Sequence, residues 1–234
     1  MKNNIEKLDF STILASSVHD MKNSLAMLLG SLSDISSECQ ARSCSIKSTL
    51  SRIQHEGQRV NHDLIQLLTL YKIDKSQYYL NIEEINIYDY LEEISLEYKY
   101  IFNDRGIDIS LQCDETLYGF FDADLVSGVL KTIINNAYQY TNDKILISAE
   151  SIDGFIKLTI TDNGKGYPPH MLFDQAIHKT ASHFGSGSTG LGLYFSSQVA
   201  GLHRNKKKYG YIRITNTTNS NVALKGGCFS IFLP

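Results

Sequence analysis

The sequence predicts an α + α/β sandwich architecture, in which a helical hairpin precedes an α+β two-layer domain. Residues 10–35 and 46–71 carry mostly apolar residues at spacings of three and four, which is typical of helices packed along a coiled-coil seam. After residue 77, short strand-like segments are mixed with helical ones, which indicates one sheet layered by helices. We therefore predict a hairpin over 1–75 and a second domain over 76–234.

The composition is that of an ordinary globular chain. Of the 234 residues, 42% are hydrophobic and 20% are charged, and the formal net charge is -3. This charge gives no electrostatic reason to expect a nucleic-acid partner. No apolar run approaches the roughly 18 residues of a membrane-spanning helix, and the N-terminus lacks the apolar core of a signal peptide. We therefore expect a cytoplasmic protein without a membrane partner.

The two predicted helices present more apolar surface than a single hairpin can cover. Their stripes comprise Phe10, Leu14, Ser17, Met21, Leu25, Leu28, Leu32 and Ile35, and then Ile46, Leu50, Ile53, Gly57, Val60, Leu64, Leu67 and Tyr71. Pairing two hairpins into a four-helix bundle would cover these stripes, so we expect a homodimer. The alternative, in which both helices pack on the rest of the chain, stays open.

The elements of the second domain follow from changes in apolar periodicity. We predict a strand and turn over 78–87, helices over 88–106, 122–141 and 190–203, and strands over 107–113, 117–121, 144–151, 155–162, 211–217 and 228–234. The predicted helix over 88–106 ends at Gly106, and the residues 152–154 form a turn between two strands. Strands in this order favour a mostly antiparallel sheet.

Two glycine-rich segments and one asparagine could carry chemistry in this domain. DNGKG, residues 162–166, follows an apolar strand, and its glycines would let the backbone approach a flat ligand closely. GSGSTGLGL, residues 185–193, runs into a helix whose N–H groups and dipole suit phosphates. Asn136 offers an amide oxygen, a hard ligand suited to Mg²⁺. Each signal alone also fits a turn, a flexible loop or an ordinary polar contact.

The order of these features resembles the ATP-binding domain of sensor histidine kinases, which is shared with gyrase-type and Hsp90-type ATPases. The stretch VHDMKNSL, residues 18–25 of the first predicted helix, narrows the resemblance to the histidine kinases, and it extends from about residue 10 to the C-terminus. It implies a stand-alone catalytic core that uses ATP and Mg²⁺, phosphorylates itself and passes the phosphoryl group to an aspartate of a separate response regulator.

The resemblance assigns three catalytic residues to the first helix. His19 would accept the γ-phosphoryl group, and Asp20 would orient its imidazole and take its proton. Asn23 would hold a water against the phosphoaspartate of the regulator, which implies an additional phosphatase activity. Independently of the resemblance, the helical period places His19 roughly 160° from the centre of the apolar stripe, where it faces solvent.

The same resemblance assigns the ATP-binding residues and the metal ligand. Asn136 would bind Mg²⁺, Asp162 would accept a hydrogen bond from the adenine amino group, and Tyr140 would lie beside the adenine. Gly164 and Gly166 would lie below the purine. The phosphate side would comprise Lys179, Gly187, Ser188, Thr189, Gly190, Leu191 and Gly192.

The sequence departs from the family pattern at several positions. Ser24 replaces a proline of the first helix, which removes the expected kink. Thr132 replaces the first asparagine of the motif around Asn136 and keeps a hydroxyl, and Gln139 replaces a basic residue. The phenylalanine-rich segment of the family is barely recognisable in residues 168–184, so we expect a short or unusual ATP lid.

Two other functions stay open at this level. One is a histidine phosphotransfer protein with a catalytically inactive kinase-like domain, and the other is a non-catalytic module that sequesters a partner. The retained Asn136 and Asp162 argue against an inactive domain. Because only 18 residues precede His19, we also expect the signal to come from a separate sensor protein or from the N-terminal tail.

Overall fold

The computed structural model describes residues 18, 21–23, 25–33, 35, 47–172, 190–217 and 224–234. The chain divides into two compact units, Met1–Tyr78 and Tyr79–Pro234. In the described part of the chain, no helix combines the length and the apolar composition that crossing a membrane requires.

The described residues of the first unit are helical up to Asp74. Residues 18, 21–23, 25–33 and 35 are in helical conformation, and helix α1 spans Lys47–Asp74. The two helical segments approach closely at Gly57, where an added Cβ would lie 2.6 Å from Leu29 Cδ2. Val18 and Leu50 are buried. The missing side chain at Gly57 therefore lets the two segments pack against each other within one chain.

The second unit contains three helices and nine strands among its described residues. The helices are α2 (Ile87–Asp104), α3 (Ala123–Tyr140) and α4 (Gly190–Leu202), and a 3₁₀ turn spans Pro169–Met171. The strands are β1 (Glu83–Asn86), β2 (Asp108–Gln112), β3 (Tyr118–Phe121), β4 (Lys144–Ile152), β5 (Phe155–Asp162), β6 (Arg204–Asn205), β7 (Lys208–Tyr209), β8 (Tyr211–Asn216) and β9 (Gly227–Leu233).

Five of the strands form the central sheet, in the order β2-β4-β5-β9-β8. Strand β2 pairs in parallel with β4, and the other neighbours pair antiparallel. Helix α2 lies against β2, α3 against β5, and α4 against β8 and β9. Buried side chains such as Ile145, Leu158, Ile214 and Phe229 fill the space between the sheet and the helices. The two-layer α+β architecture predicted from the sequence is confirmed for this unit.

The prediction of a single sheet is wrong in its details. Strands β1 and β3 pair with each other in a separate two-stranded sheet, and β6 and β7 form a small hairpin. The hairpin was not predicted because its two-residue strands, Arg204–Asn205 and Lys208–Tyr209, are exposed and lack an alternating apolar pattern.

Side-chain caps determine where α2 and α3 begin. The Asn86 side chain accepts a hydrogen bond from the Asp89 N–H, and the Asp122 side chain accepts one from the Leu125 N–H. Both residues are good N-caps because a short side-chain oxygen satisfies an N–H group that the helix itself leaves unpaired. The cap at Asp122 fixes the start of the helix that carries Asn136.

Candidate nucleotide-binding site

Asp162 is the last residue of β5, and backbone N–H groups hold its carboxylate in place. Its Oδ1 accepts hydrogen bonds from the Gly164 N–H at 2.7 Å and from the Gly227 N–H at 3.3 Å. Burial raises the pKa of Asp162, and these two hydrogen bonds act in the opposite direction. Its Oδ2 makes no hydrogen bond to any described residue. One oxygen is therefore fixed by the protein, and the other remains an acceptor for a ligand.

Three glycines form the walls around this carboxylate. A Cβ on Gly227 would lie 2.6 Å from Asp162 Oδ2, a Cβ on Gly226 would overlap the Asp162 backbone oxygen, and a Cβ on Gly164 would overlap the Tyr140 carbonyl oxygen. Any side chain at these positions would displace the backbone or the carboxylate. Gly226 and Gly227 are a part of the site that sequence reasoning missed.

Tyr140 and Asn136 lie near one another on α3. Tyr140 ends the helix, and its side chain is 57% exposed. Asn136 precedes it by one helical turn, so the two side chains share a face. The Asn136 amide makes no hydrogen bond to the described residues, whereas the neighbouring Asn135 bonds the Tyr98 hydroxyl. Asn136 rather than Asn135 is therefore available to a ligand on the Tyr140 face.

Two asparagines that were not singled out from the sequence hold the DNGKG segment. Asn163 Oδ1 accepts hydrogen bonds from the N–H groups of Asp143 and Lys144, which fixes the turn after α3. Asn216 accepts a hydrogen bond from the Tyr167 N–H at 2.7 Å and donates one to the Tyr167 carbonyl at 2.8 Å. Its amide therefore pairs with the backbone as a neighbouring strand would.

Helix α4 begins at Gly190 and packs on the face of α3 that carries Thr132, one helical turn before Asn136. A Cβ on Gly192 would lie 2.5 Å from Thr132 Cγ2, so this glycine lets α4 approach α3. The Thr132 hydroxyl donates a hydrogen bond to the Gly128 carbonyl at 2.7 Å. The threonine that replaces the family asparagine therefore uses its methyl group for packing and directs its hydroxyl proton into its own helix.

Gly164 lies against the Tyr140 carbonyl and the Asp162 carboxylate, Asn136 precedes Tyr140 by one helical turn, and α4 begins at Gly190. Gly166 has a φ of 77° and lies against the Asn216 amide, where L side chains rarely fit. Other predicted site residues lie outside the described residues, namely His19, Asp20, Lys179, Gly187, Ser188 and Thr189. Asn23 is described and is exposed on the helix of the first unit.

The arrangement suits a flat ligand with a hydrogen-bond donor on its edge. A Cβ on any of the three glycines would fill the space beside the carboxylate, Asp162 Oδ2 can accept a hydrogen bond, and Tyr140 offers an exposed ring. Among the described residues, no group of three or more His, Cys, Asp or Glu side chains could hold a metal ion. A divalent cation here would therefore need oxygen ligands from the bound molecule in addition to Asn136.

Comparisons with known proteins agree with this geometry. Residues 121–234 match the family described as histidine kinase-, DNA gyrase B-, and HSP90-like ATPase. The sensor protein SrrB of Staphylococcus aureus strain NCTC 8325 / PS 47 is 26% identical over 203 residues, which cover 84% of this chain and 34% of that protein. SrrB of strain COL matches to the same extent. The chain thus spans about a third of the length of these relatives.

Solved structures share the fold over most of the chain. The histidine kinase AdeS of Acinetobacter baumannii has a TM-score of 0.58 at 20% identity, covering 92% of this chain and 96% of its own. Full-length ShkA in complex with AMPPNP has a TM-score of 0.62 at 18% identity, covering 95% of this chain and 45% of its own. The family match shows that residues 121–234 form a domain of the histidine kinase-, DNA gyrase B-, and HSP90-like ATPase type, and over most of its length the chain is similar in sequence to a sensor protein and in fold to histidine kinases.

Proposed function

We propose that this chain is an ATP-dependent protein-histidine kinase, which phosphorylates its own His19 and transfers the phosphoryl group to an aspartate of a separate response regulator. The observation that carries this proposal is the Asp162 carboxylate, with one oxygen held by two backbone N–H groups and the other available inside a glycine-walled site. Because the adenine amino group is a donor, it complements the available oxygen.

The remaining site residues would bind different parts of the nucleotide. Tyr140 would pack beside the adenine, with Gly164 and Gly166 at the purine. Asn136 would bind Mg²⁺, which usually takes few protein ligands and several phosphate oxygens and would neutralise phosphate charge. The N–H groups at the start of α4, from Gly190 to Gly192, would face the phosphates, together with Lys179 and residues 187–189.

The first unit would supply the phosphoryl acceptor. Asp20 would take the proton of one His19 ring nitrogen, and the other nitrogen would form a bond to the γ-phosphorus. The bond between that phosphorus and the oxygen bridging it to the β-phosphate would break, releasing ADP. Such transfer depends mainly on positioning and charge neutralisation. Incubation of the full chain with ATP labelled on the γ-phosphate tests the proposal, because an inactive phosphotransfer protein or a sequestering module would take up no label.

The predicted metal ligand can be tested by comparing two neighbouring asparagines. Asn136→Ala is expected to weaken ATP binding about tenfold in the presence of Mg²⁺ and to change Mg²⁺-free binding by less than about twofold, because the lost contact is to the metal. Calorimetric titration with and without Mg²⁺ measures both values. Asn135→Ala is the matched control and should keep the full Mg²⁺ effect, since Asn135 bonds Tyr98. A Mg²⁺ effect that is equal in wild type and Asn136→Ala would exclude the assignment.

The exposed apolar residues of the first unit support a homodimer. Met21, Leu28 and Ile35 on one helical segment, and Ile53, Val60 and Leu67 on α1, are between 36% and 62% exposed. Within each helix these residues lie seven apart, which is the repeat of a coiled-coil seam. The face that contains Val18 and Leu50 is already buried within the chain. A second copy would cover the exposed rows and form the proposed four-helix bundle.

Val60→Asp should therefore convert the dimer to a monomer. The charge would be buried in the bundle but solvated in the monomer, so the monomer itself should stay folded. Sedimentation velocity measures the oligomeric state, and circular dichroism checks the helix content. Gln58→Asp is the control, because Gln58 is exposed and lies about 160° away around α1. The homodimer proposal is wrong if wild type is monomeric, or if Val60→Asp remains dimeric.

We propose a second activity, in which Asn23 promotes loss of phosphate from the regulator. Its exposed position is one turn beyond His19, so both side chains would meet the same docked surface. Asn23→Ala is expected to slow regulator dephosphorylation about tenfold, because a positioned water is lost, while His19 is still phosphorylated. Asn23→Thr, which keeps a hydrogen-bonding side chain, should retain most of the rate. An unchanged rate in Asn23→Ala would leave Asn23 as a solvated helix residue.

A further inference from the structure

One buried histidine joins the end of α4 to the start of α3. His203 is 2% exposed and follows Leu202, the last residue of α4. Its Nε2 lies 3.0 Å from the Asp122 backbone N, and its Nδ1 lies 2.8 Å from the Val199 carbonyl oxygen. A backbone N–H can only donate and a carbonyl oxygen can only accept. The ring must therefore be neutral, with its proton on Nδ1 and an acceptor at Nε2.

The surroundings of His203 favour this neutral form. Burial lowers the pKa of His203, and the hydrogen bond to Val199 and the negative charge of Asp122 act in the opposite direction. The negative charge that acts on the ring is that of Asp122, the N-cap residue of α3. Protonation of Nε2 would replace the acceptor by a second donor facing the Asp122 N–H, and the link would be lost.

Contacts at three levels set the position of α4 along α3. Gly192 lies against Thr132, and a Cβ on Gly128 would lie 3.3 Å from the Phe195 ring. His203 and Asp122 form the third level. Residue numbers rise along α4 as they fall along α3, so the two helices run antiparallel. The contacts at the first two levels are van der Waals contacts, whereas the third level is a directional hydrogen bond between the His203 ring and the Asp122 N–H, which favours one register.

The start of α4 and the C-terminal half of α3, which would face the nucleotide, lie at the opposite end of this helix pair from His203. Helix α4 has 13 residues, so Gly190 is roughly 20 Å from His203. Asn136 lies four residues beyond Thr132, on the Gly192 side of α3. A shift of α4 along α3 at His203 would therefore move the glycines at its start relative to Asn136.

Asp122 extends the same connection to the start of the second unit. Its Oδ1 accepts the capping hydrogen bond from the Leu125 N–H, and its Oδ2 accepts one from the Asn81 N–H, each at 3.0 Å. Asn81 is the third residue of the unit that begins at Tyr79. The chain of hydrogen bonds thus runs from α4 through the cap of α3 to the segment that enters the unit.

We propose that His203 is a positioning residue for nucleotide binding, because its hydrogen bond to the Asp122 N–H sets the position of residues 190–192 relative to Asn136. The proposal rests on the proposed ATP-binding function of the site. His203 does not touch the nucleotide, and it acts through the two helices.

Two substitutions of His203 distinguish the role of its Nε2 from that of its Nδ1. The amide of His203→Gln reaches the position of Nε2 and can accept from the Asp122 N–H, whereas the amide of His203→Asn reaches only the position of Nδ1. The Kd for ATP with Mg²⁺ should rise about tenfold in His203→Asn and stay within about twofold of wild type in His203→Gln. Thermal unfolding curves of both variants identify a temperature at which each is fully folded, and the ATP affinities are compared at that temperature.

Hydrogen exchange of the nucleotide-free full chain gives a readout that needs no ATP. Amides of residues 190–193 should exchange faster in His203→Asn than in wild type or His203→Gln. Lowering the pH should reduce the protection of these amides in wild type, measured against the intrinsic exchange rate at each pH, because Nε2 is protonated, and should do so much less in His203→Gln. Equal affinity and equal exchange in the two variants would overturn the proposal. If wild type binds no ATP, the proposed function fails, and the exchange data still decide whether His203 positions α4.

Discussion

Asp162→Asn is expected to weaken ATP binding by about 1–3 kcal/mol, or roughly 5- to 150-fold. The asparagine oxygen can still accept from the Gly164 and Gly227 N–H groups, so the amide nitrogen takes the place of Oδ2. Its donors then face the adenine amino group, which is also a donor, and neither is satisfied. Isothermal titration of the full chain with ATP measures the loss.

The same substitution should change which base the site prefers. Inosine triphosphate carries an oxygen where adenine carries its amino group, so it should bind wild type poorly and Asp162→Asn better. The ratio of the two affinities is independent of any general loss of folded protein. Because burial raises the pKa of Asp162, its charge is disfavoured in the folded state, and the neutral asparagine should not lower the free energy of unfolding.

Asp153→Asn is the control for charge removal alone. Asp153 is exposed at the turn between β4 and β5, at the opposite end of β5 from Asp162, and its φ of 53° suits asparagine. It should bind ATP as wild type does. An unchanged ratio of ATP to inosine triphosphate affinity in Asp162→Asn would mean that Asp162 does not read the base.

The local parts of this site follow from local sequence. The helix predicted over 122–141 is observed at Ala123–Tyr140, because an aspartate cap precedes a strongly apolar helical stripe. The strand predicted over 155–162 is β5, since apolar residues alternate with Lys157, Thr159 and Thr161 up to Asp162. These two elements carry Asn136, Tyr140 and Asp162, which explains why motif order alone already indicated a nucleotide site.

The parts contributed from a distance could not be predicted in the same way. Gly227 is 65 residues from Asp162 and reaches it because β9 pairs with β5 in the sheet. Asn216 is 49 residues from Tyr167 and reaches it from the end of β8. Strand order depends on which apolar faces pack together, and no short-range periodicity encodes it. The pairing of β1 with β3 outside the main sheet was missed for the same reason.

His203 illustrates a different limit. In the sequence it is one histidine among seven, placed at the end of a predicted helix. Its two hydrogen bonds depend on the antiparallel register of α3 and α4, which brings Asp122 to it across 81 residues. A buried neutral histidine and an exposed reactive one differ in surroundings rather than in local sequence. The proposed acceptor, His19, is assigned by the resemblance, and its position on the polar face of the helix supports the assignment.

His19→Gln is expected to abolish incorporation of label from γ-labelled ATP, the largest effect proposed for this chain. Phosphohistidine is labile in acid and stable in alkali, so the label on wild type should show that pattern. Glutamine keeps a polar side chain on the helix but has no nucleophilic ring nitrogen. The variant should still bind ATP with wild-type affinity, because the site around Asp162 belongs to the second unit.

His62→Gln provides the matched comparison, because His62 is another histidine of the first unit. Its Nε2 lies 2.7 Å from Gln66 Nε2 on α1, so the ring is already engaged in a contact within its own helix. His62→Gln should be labelled as wild type is. If His19→Gln is labelled as strongly as wild type, the acceptor is another residue. If wild type binds ATP but takes up no label, the chain is better described as a phosphotransfer protein with an inactive kinase-like domain. When a regulator is added, the label should move from His19 to an aspartate of its receiver domain. This transfer would complete the proposed reaction, because the same phosphoryl group passes to the next acceptor at each step.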